Sequence, residues 1–121
     1  MDTYQLPLRP LIVGTAFVLN PVATSSNTSS LHGMGNYPDF VHAYLECLVA
    51  EAGYAVGDRV EILGNDTGSG QRQEVTLAYN ATTLYCNTDN LGIRITNSSN
   101  ASTAITASSW KLVAVPYRVQ A

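Results

Sequence analysis

Short apolar runs, each cut off by Ser, Thr, Asn or Gly, constrain this chain more than any other feature. The stretch Thr96–Thr106, TNSSNASTAIT, is representative. An amphipathic helix needs an apolar stripe recurring every three to four residues across ten or more positions, and no segment carries one. Runs of β-formers bounded by turn residues specify short strands and tight turns instead. The clearest is Phe40–Val49, where Val41, Ala43, Leu45, Cys47 and Val49 share one face and His42, Tyr44, Glu46 and Leu48 the other.

Further strands are expected at Leu11–Leu19, Arg59–Leu63, Gln73–Tyr79, Thr82–Cys86, Leu91–Thr96, Ser102–Thr106 and Trp110–Val119. About eight strands with frequent turn signals predict an all-β domain, a β-sandwich or jelly roll. Pro116 predicts that the end of the last strand is an edge or leaves the sheet, because proline cannot donate to a ladder. Residues 20–38 form a long polar connection of a length that often carries function, part of which can be an irregular or edge strand. With 121 residues the chain makes one domain, spanning 11–121, preceded by an extended arm at 1–10.

Charge narrows the partners. Only 12% of residues are charged and the net charge is -3, so six Lys and Arg cannot form the basic stripe that tracks phosphates, and nucleic acid is excluded as a direct partner. Leu11–Leu19 is too short to cross a bilayer, and no membrane partner is expected. The N-terminus lacks the basic start of a secretory signal, which predicts synthesis without export by the usual route. The Asn-x-Ser/Thr sequons at Asn27, Asn65, Asn80, Asn97 and Asn100 are then by-products of composition.

The chemistry-bearing residues are sparse. Cys47 and Cys86 lack metal-type spacing and read as buried thiols acting as small hydrophobes, with a disulfide the alternative only where the strands place them face to face. His32 and His42 have no ligand partners at metal spacing, and Gly33-Met34-Gly35 precedes no helix that would cradle a phosphate. No metal, cofactor or catalytic residue is assigned, and the chain reads as a binding or structural module rather than an enzyme. Glycoside hydrolysis needs two facing carboxylates. Glu46 and Glu61 are the best candidates, and solvated-face acids are the better reading of both.

Association surfaces are easier to find. Tyr4, Leu6 and Leu8 alternate in the arm, and Pro7 and Pro10 keep it extended, so Tyr4, Leu6, Pro7, Leu8 and Pro10 are candidate partner-binding residues. His32, beside Gly33, caps a turn or meets a neighbouring chain. With Tyr37, Tyr44, Tyr54 and Tyr117 it forms the candidate subunit interface, since tyrosine offers both an apolar ring and a polar tip. Trp110 reads as core.

Three segments together carry a family likeness: Leu31-His32-Gly33-Met34-Gly35 with Pro38 nearby, Tyr44-Leu45-Glu46-Cys47 through Glu51-Ala52-Gly53-Tyr54-Ala55-Val56-Gly57-Asp58-Arg59-Val60, and Trp110-Lys111-Leu112-Val113. The pattern resembles small virion structural proteins of tailed bacteriophages, the group that includes capsid cement (decoration) proteins and tail or fibre domains. It covers most of 31–119 and leaves out the arm and residues 23–30. The resemblance implies a β-sandwich that self-associates, commonly as a homotrimer, and adds to a larger shell. The function expected from it is a cement protein on the capsid surface of the virion, made in the host bacterial cytoplasm, that clamps adjacent subunits of the major capsid protein. The alternative it allows is a tail-fibre or spike tip that binds a host receptor or glycan through loops 23–38, 64–72 and 97–103.

Overall fold

The computed structural model describes residues 10–25, 27–62, 75–88 and 93–119. They form ten strands: β1 (Leu11–Val13), β2 (Phe17–Leu19), β3 (Asn27–Leu31), β4 (Phe40–Cys47), β5 (Arg59–Glu61), β6 (Val75–Tyr79), β7 (Thr83–Thr88), β8 (Arg94–Thr96), β9 (Ser102–Ala104) and β10 (Trp110–Val119). One 3-10 turn, Ala107–Ser109, precedes β10. The fold is all-β and sandwich-like, as the alternation and turn chemistry predict, with ten strands rather than eight.

The longest strand, β10, is apolar at nearly every position, the pattern of a strand buried along its length. It forms the spine of a five-stranded antiparallel sheet. β4 pairs with it from Trp110↔Cys47 to Tyr117↔Phe40, and β5 lies beyond β4. On the other flank β2 and β1 lie end to end. A second sheet runs β3-β7-β6, and β8 and β9 form a separate hairpin. Leu45, Leu112, Ala114 and Trp110 from the large sheet, Leu84 and Cys86 from the second, and Ile93 and Ile95 from the hairpin make one buried cluster.

Two differences from the expected strands share a cause. Leu11–Leu19 is two strands, and Pro116 lies in the central strand of its sheet, not at an edge. Between the pairs Val13↔Tyr117 and Phe17↔Ala114, three residues (14–16) face two (115–116), which is a β-bulge. The Pro116 carbonyl accepts the Gly14 N–H across this gap at 3.0 Å, so the missing proline N–H would have pointed into the same gap. The bulge removes the ladder position that proline cannot fill. Gly14 is required there: a Cβ would stand 2.7 Å from the His32 carbonyl and 2.9 Å from the Pro116 ring.

β3 lies inside the expected 20–38 connection. Its sequence NTSSL has little apolar pull, and it is held at the edge by pairing with β7 and by the Thr28 hydroxyl donating to the Cys86 carbonyl at 3.2 Å. Asparagines close the hairpins. Asn80 Oδ1 accepts the N–H groups of Thr82 and Thr83, each at 2.9 Å, between β6 and β7. Asn97 Oδ1 accepts those of Ser99 and Ala101 between β8 and β9. Cys47 and Cys86 are buried free thiols, and burial pushes the Cys86 thiol up to about 11.

Candidate functional site

Strand pairing assigns each residue of the large sheet to a face. The inner face carries Leu45, Cys47, Leu112, Ala114 and Phe17 into the core. The outer face carries Leu11 and Val13 from β1, Val18 from β2, Val113, Val115, Tyr117 and Val119 from β10, and Phe40 from β4. Val13 is 58% exposed, Leu11 and Val18 51% each, and Phe40 44%. Phe40 and Tyr117 stack at 5.0 Å between ring centroids, 16° from parallel. Val113 among them is buried and Val115 and Tyr117 are half-buried, and the exposed members around them form an apolar patch of the kind that marks interaction sites.

One corner of the same face is charged. Glu46 bonds Arg59 at 3.1 Å and Lys111 at 3.3 Å, and His42 lies 3.0 Å from Glu61. The Lys111 and then the Arg59 hydrogen bonds hold the Glu46 carboxyl below its usual range. The Arg59 guanidinium sits 4.6 Å over the Tyr44 ring, a cation–π contact. Each acid thus faces a cation or a titratable ring, and Glu46 and Glu61 do not converge on an empty space between them.

The expected interface residues divide. Tyr44 and Tyr117 lie on the outer face, and Tyr37 stands exposed on the loop before β4. Tyr54 is half-buried and works within its own chain: its hydroxyl donates to the Thr96 carbonyl at 2.6 Å, and its ring meets Trp110 edge-on. His32 is corrected outright. It is fully buried and so cannot meet a neighbouring subunit. Its Nδ1 accepts the Met34 N–H at 3.2 Å, which is the turn-capping role, and its Nε2 donates to the Asn80 carbonyl at 2.8 Å. Those two bonds set the tautomer and tie the turn after β3 to the β6–β7 hairpin. Tyr4, Leu6, Pro7 and Leu8 lie outside the described residues. Pro10 is exposed where the chain enters β1.

Sequence reasoning missed Glu51 as an anchor. Its Oε1 accepts both the Trp110 indole N–H and the Thr106 backbone N–H at 2.8 Å, fastening the end of β10 to the segment after β9. Burial pushes this carboxyl up, and the hydrogen bonds from Thr106 and Trp110 outweigh that and hold it lowered. A cleft of about 410 Å³ opens between β4–β5 and β6, lined by Asp39, Phe40, Val41, Ile62, Val75, Leu77 and Tyr79. Its one carboxylate, Asp39, already accepts the Val119 N–H at 2.6 Å. The 97–103 loop spends its amide internally, since Asn97 Nδ2 donates to Thr103 Oγ1 at 2.8 Å.

No protein-family model matches the chain, and neither the curated proteins nor the solved structures contain a match to it. The functional reading therefore rests on the surface itself.

Proposed function

We propose that this chain is a structural attachment protein of a bacteriophage virion, a cement protein that binds the capsid exterior and bridges subunits of the major capsid protein. The observation that carries the reading is the apolar outer face of the five-stranded sheet, whose exposed side chains are suited to adhesion. Contact with the coat is assigned to the arm residues Tyr4, Leu6, Pro7, Leu8 and Pro10, the last of which directly precedes β1. Linked copies raise each arm's effective concentration at the shell, so weak single contacts hold.

Electron cryo-microscopy of assembled particles tests this, with the full chain compared to a variant lacking residues 1–10. The expected result is density on the capsid exterior for the full chain and sharply lower occupancy for the variant. Equal occupancy overturns the role given to the arm. Density confined to the tail or its fibres overturns the cement reading in favour of a receptor- or glycan-binding tip, for which the stacked Phe40–Tyr117 pair is the best sugar platform among the described residues.

A further inference from the structure

The apolar outer face has a particular shape. On the grid of paired residues, Leu11, Val13, Val18 and the outward side chains of β10 make a strip two strands wide. The charged corner is made by Glu46 of β4, Arg59 and Glu61 of β5 and Lys111 near the start of β10, at the end farthest from Leu11. Apolar centre and polar rim is the anatomy of a protein interface.

We propose that this face pairs with the same face of a second copy across a two-fold axis, making an isologous dimer. The first argument is electrostatic. The chain as a whole carries a net charge of -3 and repels its own kind, yet the corner holds Arg59 and Lys111 against Glu46 and Glu61 and is neutral in sum. A copy approaching this face meets no like-charge field, whereas an oppositely charged partner gains nothing from it. The second argument is geometric. With the axis running between β10 and the β1/β2 flank, the strip of each copy covers the strip of the other, and both charged corners fall at the rim. Sheets packed face to face in this way lie about 10 Å apart, which leaves room for Val, Leu and Tyr side chains to interdigitate. The third is area. The exposed strip offers on the order of several hundred Å² of apolar surface per copy, and the rim brings this toward the roughly 800 Å² per partner of a standard interface.

The dimer takes up the same outer face that supports the coat reading and leaves contact with the coat to the arm, and it is tested without capsids because it forms from this chain alone. The test is sedimentation equilibrium on the purified full chain, with the double variant Val13→Glu/Val18→Glu and the control Leu31→Glu. All three positions are at least half exposed, so the substitutions leave the fold standing, and circular dichroism melting verifies it. Leu31 lies on the outer face of the other sheet. The expected result is a mass twice the 12.9 kDa of the chain for the parent and for Leu31→Glu, and a dissociation constant raised roughly tenfold or more for the double variant. A monomeric parent, as when the chain's own arm covers the strip, overturns the proposal. So does a trimer, or a dimer that the double variant leaves intact. If the dimer fails while arm deletion still strips the protein from capsids, only the self-pairing is wrong.

Discussion

The two sheets of this sandwich turn opposite characters to the outside. The five-stranded sheet shows Leu11, Val13, Val18, Val115 and Tyr117, whereas the three-stranded sheet shows Asn27, Ser29, Thr76, Tyr85 and Asn87, with Leu31 and the small Ala78 the apolar exceptions. What holds them differs in the same sense. The large sheet is organised by the burial of β10, and the small one leans on side-chain bonds such as Thr28 to Cys86 and the asparagine caps. An ordinary antiparallel sheet keeps one dry face and one wet face, which is what the small sheet does. The large sheet departs from this, because part of its outer face is apolar too, and that is the observation on which the proposed self-pairing rests.

That contrast can be broken most severely at Trp110. Its ring is fully buried, its indole N–H is bonded to Glu51, and it lies in the cluster shared by both sheets. Trp110→Ala is expected to cost about 3–5 kcal/mol in urea unfolding, with near-ultraviolet and far-ultraviolet signals falling together. Separate transitions would mean that the sheets fold as independent units. A smaller effect isolates the polar sheet: Asn80→Ala removes the acceptor for two backbone N–H groups and should cost about 1–2 kcal/mol by the same measurement. A loss below about 0.3 kcal/mol would show that water replaces the cap fully.

The smallest effect is expected from pH. The Glu51 carboxyl is lowered from 4.5 in the folded chain, so its contribution is present above that value and is lost as pH falls through the lower folded one. Glu51→Gln should therefore be less stable than the parent at neutral pH and converge with it in acid, so that the variant's profile lacks the acid limb below about pH 4.5. Superimposable acid limbs for parent and variant would remove Glu51 from the account.

Much of the fold was legible because strand alternation is local. Ala43, Leu45 and Cys47 fall inward as the period of two requires, and Trp110 is core. What was not legible depends on pairing. Pro116 reads as an edge residue until Gly14–Ala16 is seen opposite it, and the partner of a bulge lies about a hundred positions away in the chain. His32, flanked by glycine in a polar stretch, gives no sign of burial, because its place is fixed by Asn80 and Met34 across two turns. The outer surface was half visible. Tyr44 and Tyr117 were singled out for their residue type, while Val13 and Val18 were read as ordinary strand residues, and only the register shows them pointing away from the core.

The bulge opposite Pro116 also bears on growth. Edge strands left straight and unpaired are templates onto which further chains can add without end. Here the β1/β2 edge is broken into two three-residue pieces by Gly14–Ala16, and β5 on the far edge is as short. Addition along the hydrogen-bonding direction of this sheet finds no long continuous ladder among the described residues, whereas the unbroken five-residue edges, β3 and β6, belong to the other sheet. In the attachment role proposed above many copies share one particle, and interrupted edges on this sheet would keep them from growing strand upon strand.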